Sequence, residues 1–145
     1  AMAQNLISNR DELRKLPIET QKKIQAEGAE RLSKEGKKTI LDTHCSIRTP
    51  SGFLPGLTDP FLSRLPVDSL IYITAPPEQI FERRKADATR IRTDDATLES
   101  LMAHEDENRR LLSHYSEFTG APSHIIENIQ GKLGEAQKKL LSLLD

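Results

Sequence analysis

The sequence has a single cysteine, Cys45, in 145 residues. That excludes an internal disulfide framework and any multi-cysteine metal site. A lone free thiol fits a reducing cytoplasm, the compartment expected for this chain. Long hydrophobic runs are missing too. No apolar stretch approaches the roughly 18 residues that mark a membrane span, so no membrane partner is predicted. The opening Ala1-Met2-Ala3-Gln4-Asn5 carries no basic cluster leading into an apolar core, and nothing there reads as a secretory leader. An Ala ahead of the Met reads as a tag remnant, which makes Met2 the expected start. Nor is one charge in excess: 21 Lys and Arg stand against 22 Asp and Glu, a formal net charge of −1. No global field therefore argues for nucleic acid as a partner. Internal repeats and low-complexity tracts are absent as well.

What is present is the pattern of one globular domain, with 36% hydrophobic and 30% charged residues in apolar runs separated by turn signals. Asn9 or Asp11 can cap a short helix through Leu13 and Leu16. Pro17 suits the first turn of a second helix running to about Glu35, with Gly36 as its stop. Lys38 to Thr43 reads as a short strand, Ser69 to Ala75 as the clearest strand, and His124 to Ile129 as a third. Near-continuous apolar strands alternating with helical segments predict a parallel sheet covered on both faces, and hence the α/β class. Pro77 opens a helix through Ile80, Phe81 and Arg84. Asp94 and Asp95 are the expected caps of a long helix through Leu98, Leu101, Met102, Leu111, Leu112 and Tyr115, ending near Gly120-Ala121-Pro122. A last helix carries Leu133, Ala136, Leu140 and Leu144.

In open parallel sheets, ligands gather at the carboxyl ends of strands. The first predicted strand ends in Asp42-Thr43-His44, followed by a polar loop from Ser46 to Leu57 that contains Arg48-Thr49-Pro50-Ser51-Gly52-Phe53-Leu54-Pro55-Gly56. Its prolines and glycines make the loop shaped rather than loose. A strand-end Asp can hold Mg²⁺ through water, and Arg48 can meet a phosphate; Asp42 as a plain turn residue is the bland alternative. A second constellation packs Arg83, Arg84, Arg90 and Arg92 into ten residues. Several guanidinium forks together neutralise a polyphosphate, while a solvated helix end explains the same run without any ligand. Arg10 and Arg14 form a smaller basic pair whose acidic neighbours favour a self-neutralised surface helix. Cys45 reads as a small packed residue and His44 as a loop-positioning group. His104, His114 and His124 receive no role.

Three blocks resemble successive segments of the archaeal adenylate kinases, in that family's order and spacing. They are Asn9 to Leu16, Asp42-Thr43-His44 with Arg48 to Leu57, and Asp87-Ala88-Thr89-Arg90-Ile91-Arg92. The resemblance extends from near Leu6 to the C-terminus and implies phosphoryl transfer, ATP plus AMP giving two ADP. It implies that residues 9–35, with Arg10 and Arg14, form the monophosphate-binding helices. Thr43, His44, Arg48, Thr49, Pro50, Gly52, Leu54 and Gly56 would then line the AMP site, with Asp42 near Mg²⁺. Arg84, Arg90 and Arg92 would belong to a short lid over residues 83–94. Self-association is a further property that the resemblance suggests.

The family's fold begins with a strand, a G-x-x-x-x-G-K-[ST] phosphate loop and a helix. Of the seven glycines here, two precede a lysine. Neither Gly36-Lys37-Lys38 nor Gly131-Lys132-Leu133 continues with Ser or Thr, and neither has a Gly five residues earlier. In the family's architecture the first strand lies between those corresponding to Lys38–Thr43 and Ser69–Ala75, so both are expected to lack a pairing neighbour. The expectation is an incomplete nucleoside monophosphate kinase domain over residues 1–145, missing its first β-α-β unit and inactive by itself. A truncated chain, a second polypeptide that supplies the unit, and strand exchange between subunits each account for this. The alternative functional readings are a non-catalytic AMP- or anion-binding module and a fragment that self-associates.

Overall fold

The computed structural model describes residues 17–87 and 97–145. In chain order the elements are α1 (Ile18–Lys34), β1 (Ser46–Thr49), β2 (Gly52–Pro55), α2 (Asp59–Leu62), β3 (Leu70–Thr74), α3 (Pro77–Ala86), α4 (Leu98–Thr119), β4 (Ser123–Glu127) and α5 (Leu133–Leu144). They fall into two compact units. The expected helix over residues 9–16 lies outside the described residues, as do Asp94 and Asp95.

The first unit contains α1, the segment through Asp42, and Thr58–Val67 with α2. Pro17 precedes α1 as predicted, with Glu19 in the first turn and Arg31 and Lys34 in the last, the order that suits the helix dipole. Ala29 and Leu62 are its buried apolar residues. Lys38–Thr43 is not a strand, contrary to the sequence reading. Ile40 is 73% exposed, and no ladder partner for this stretch occurs among the described residues. A strand exists only as half of a pair, so apolar β-branched residues alone do not make one.

The second unit contains Thr43–Leu57 and Asp68–Asp145. Here the parallel pairing holds: β3 and β4 run side by side, with Leu70 opposite Ser123 and Thr74 opposite Glu127. This is an α/β arrangement of a parallel pair with flanking helices. Cover on both faces is incomplete. Tyr72 and Thr74 bond to Glu105 of α4, so alternation turns Ile73 to the other face, where it remains 54% exposed. The cap of α4 is Thr97, which accepts from the Ser100 amide at 3.1 Å in a reciprocal capping box. Gly120 ends the helix at φ 72°, a left-handed turn that costs glycine little. Leu101, Leu111, Leu112 and Tyr115 bury the apolar stripe of α4, whereas Met102 is about half exposed. No helix among the described residues is long and apolar enough to cross a membrane.

The predicted irregular loop after His44 is a β-hairpin, β1 antiparallel to β2, with Thr49 opposite Gly52 across a turn through Pro50 and Ser51. Its base is very tight. Gly56 N–H donates to the Cys45 carbonyl at 2.9 Å, and a Cβ on Gly56 would stand 1.8 Å from the His44 carbonyl oxygen. The Tyr115 hydroxyl, on the most buried large side chain, donates to the Cys45 carbonyl at 2.6 Å. The Tyr115 hydroxyl oxygen in turn accepts from the Leu57 amide at 3.3 Å. One phenol therefore closes both feet of the hairpin onto α4. The Cys45 thiol donates to the Asn108 carbonyl at 3.2 Å; burial, then the nearby Glu105 and Glu107 carboxylates, push its pKa up to about 11.

Two outcomes follow from this base. Gly56→Ala is expected to lower stability by about 1–3 kcal/mol or more, since backbone rather than a movable side chain blocks the new methyl. Gly134→Ala, where nothing lies within 4 Å, serves as the near-neutral control in paired thermal melts. Cys45 in the native chain should alkylate roughly two orders of magnitude more slowly at about pH 8 than in denaturant, because the folded state holds the proton. Its contribution to stability is complete below the unfolded pKa near 9 and is lost as pH rises toward 11, so urea midpoints should fall over that window.

Candidate functional site

The carboxyl end of β3 opens onto a cavity of about 300 Å³ lined by residues of β3, α3, α4 and the turn after β4. Thr74 ends the strand, Ala75-Pro76 turns the chain, and Pro77 starts α3, where the N–H that proline lacks would have no acceptor within the helix. That short turn aims the basic end of α3 along the cavity. Arg83 and Arg84 both line it, but the three consecutive cations are not one patch. Arg83 is held structurally, donating to the Asn128 carbonyl at 2.8 Å and to Gln130 Oε1 at 2.9 Å. Lys85 pairs with Glu82 and sits over the Phe81 ring, 4.2 Å from its centroid. Arg84 lines the cavity one residue further along the helix.

The opposite wall comes from α4. Glu105 accepts from Tyr72 Oη at 2.6 Å and Thr74 Oγ1 at 2.9 Å on one carboxylate oxygen, and from Arg109 Nε at 3.0 Å on the other. Its side chain is 12% exposed. A charge this far from water needs such a set of donors. Burial first, and then the bond to Glu105, hold the Tyr72 phenol well above the ordinary tyrosine range. Asn108 Nδ2 donates to Tyr72 Oη at 2.9 Å, its Oδ1 accepts from Ser46 Oγ in a short bond, and His104 Nε2 lies 2.9 Å from that same hydroxyl. The network thus joins the cavity wall to the first residue of the hairpin.

The residues singled out in the sequence divide as follows. Thr43, His44, Arg48, Thr49, Pro50, Gly52, Leu54 and Gly56 all lie on or beside the hairpin in the second unit. Arg48 donates to the Ser100 carbonyl at 3.3 Å and lies 5.5 Å from the Phe53 centroid. Thr49 Oγ1 donates across the turn to the Gly52 carbonyl at 2.9 Å. Leu54, Thr43 and His44 are exposed. Arg84 lines the cavity of the same unit. Asp42 is exposed in the first unit. Arg10, Arg14, Arg90 and Arg92 lie outside the described residues.

Sequence reasoning missed Tyr72, His104, Glu105 and Asn108. A signal was available. Between Leu101 and Leu112 the stripe of α4 is occupied in phase by His104, Glu105 and Asn108, polar residues where the helical period calls for apolar ones. Among the described residues no group of three or more His, Cys, Asp or Glu is placed to cage a metal.

Comparison with known proteins agrees with this architecture. A protein-family profile described as an AAA domain matches residues 1–102. The adenylate kinase of Methanothermobacter thermautotrophicus is 38% identical over 147 aligned positions, covering 100% of this chain and 79% of the relative. That of Methanopyrus kandleri is 38% identical, covering 97% of this chain and 75% of its own length. The adenylate kinase of Pyrococcus horikoshii is 37% identical over 100% of this chain and 75% of its own. With the parallel pair, the strand-end cavity and identity at this level through its whole length, the chain belongs to the adenylate kinase family of P-loop-type nucleotide kinases.

Proposed function

We propose that this chain carries the monophosphate-binding and lid parts of an enzyme that transfers the γ-phosphoryl group of ATP to AMP, giving two ADP. The observation that carries this reading is the placement of Arg84 at a polar cavity just beyond the carboxyl end of β3. Strand ends of parallel sheets are where such folds take phosphates. The reaction needs no covalent nucleophile from the protein; it needs two nucleotides in line and the charge of the moving group neutralised.

In this reading the hairpin around Arg48, Thr49, Pro50, Gly52, Leu54 and Gly56 forms the wall against AMP, with Thr43 and His44 at its entrance. Arg10 and Arg14 belong to the helices that grip the monophosphate. Arg84, together with Arg90 and Arg92 of a lid over residues 83–94, supplies guanidinium forks to the phosphates and excludes water that would otherwise hydrolyse ATP. Mg²⁺, bound with ATP, would supply positive charge against the phosphates. The described residues fit a metal held mostly by nucleotide and water, because they offer the exposed carboxylate of Asp42 rather than a cage. A cytoplasmic location follows from the need for a nucleotide pool and suits the lone thiol of Cys45.

The 145 residues contain no G-x-x-x-x-G-K-[ST] loop, the element whose amides and lysine cradle ATP phosphates. Turnover is therefore conditional on such a loop. A coupled ADP-formation assay should detect no turnover by this polypeptide alone, and should detect it when a strand–loop–helix unit bearing the motif is fused ahead of Leu6. Robust turnover without the unit would overturn the conditional clause. AMP uptake in calorimetry with no turnover in the fusion would favour a non-catalytic AMP- or anion-binding module, and no nucleotide uptake at all would sink both. Arg84→Ala should weaken AMP or ADP binding about tenfold or more, the loss expected for one charge-assisted phosphate contact. An unchanged isotherm would remove Arg84 from the phosphate site.

A further inference from the structure

Every member of the network between Glu105 and the hairpin is a group whose hydrogen-bond direction is set by its neighbour. An ionised carboxylate only accepts. Glu105 Oε2 therefore takes the Tyr72 hydroxyl proton at 2.6 Å. The Tyr72 oxygen, its proton committed, accepts from Asn108 Nδ2 at 2.9 Å. That fixes the amide, leaving Oδ1 toward Ser46, whose hydroxyl must then donate to it. With its proton spent, the Ser46 oxygen accepts from His104 Nε2 at 2.9 Å, which requires the proton on that nitrogen.

From this we infer that His104, Ser46, Asn108 and Tyr72 form a one-directional relay, polarised by the Glu105 carboxylate, that positions the hairpin against α4 and β3. The link to nucleotide rests on the preceding reading of the hairpin as the AMP wall; the relay itself does not. Three features make it a positioning device rather than ordinary packing. Asn108 is bonded to the hairpin's base and first residue and to the cavity strand at once, through the Cys45 thiol, the Ser46 hydroxyl and Tyr72. His104 lies 5.1 Å, centroid to centroid, from Phe53 on β2, so the relay's far end touches the hairpin's second strand. Arg48 lies over that same ring. Tyr72, His104, Glu105 and Asn108 are thus positioning residues, and each acts through the next. Coupled bonds of this kind strengthen one another and fail together.

The test reads His104 directly. In the ¹⁵N-histidine-labelled chain, at a pH where imidazole is neutral, His104 should show the Nε2–H tautomer alone. Tyr72→Phe cuts the relay in its middle, and Glu105→Gln removes the acceptor that orients it, since a side-chain amide can offer Tyr72 an N–H instead. Both should bring in a measurable Nδ1–H population at His104 and move the Ile47, Phe53 and Leu54 amide signals. Glu105→Gln, nearly isosteric, keeps the test decisive if Tyr72→Phe folds poorly. His104 keeping its tautomer in the folded variants would overturn the relay, as would a changed tautomer with an unmoved hairpin. Tyr72→Phe should also weaken AMP binding about fivefold, the worth of one net hydrogen bond. If the unmodified chain takes up no AMP, the nucleotide reading falls, while the tautomer result still decides the relay.

Discussion

The second unit depends on one largely shielded carboxylate. Glu105 sits on the inward face of α4 with little contact with solvent, and a charge there is tolerated only because Tyr72, Thr74 and Arg109 supply donors to both of its oxygens. Two of those donors belong to β3, so the demand for hydrogen bonds fixes strand against helix in register as well as in distance. Apolar packing between Leu101, Leu111 and Leu112 and the sheet supplies attraction, but it is non-directional. The directional part comes from the polar residues interrupting that stripe.

The same helix face also secures the hairpin. Tyr115 reaches both of its feet through one hydroxyl, Asn108 holds Cys45 and Ser46, and Gly56 permits the backbone approach that closes the base. Hairpins of two short strands are marginal by themselves. This one is held at its base rather than by its own ladder, which leaves its turn, with Pro50 and Ser51, exposed.

The cavity at the end of β3 adds the electrostatics. Of the consecutive cations on α3, Arg83 bonds to Asn128 and Gln130 and Lys85 to Glu82, and Arg84 lines the cavity together with Glu105. A basic run in a sequence is thus an upper bound on the charge offered to a ligand, because folding assigns some of its members to structural tasks.

By itself the sequence determined α1, α3, α4 and α5, the β3–β4 strands, the α/β class and the family, but not the short helix α2. Periodicity, prolines at helix starts and Gly120 are local signals, and local signals survive without knowledge of the partner. Capping was legible only in part: α4 is capped by Thr97 with Ser100, a pairing made by backbone geometry one turn long, while the expected caps Asp94 and Asp95 lie outside the described residues. Lys38–Thr43 read as a strand and is not one, because a ladder needs a second strand that composition cannot reveal. The segment after His44 read as a shaped loop and is a hairpin, a difference decided by pairing across the turn. The functional residues split along the same line. Arg48, Gly56 and Arg84 stood out as residue types in motifs, whereas Tyr72, His104, Glu105 and Asn108 acquired meaning only when α4 was laid against β3 and the hairpin. Hydrogen bonds between residues 31 to 63 positions apart are products of tertiary packing, and no window along the chain contains them.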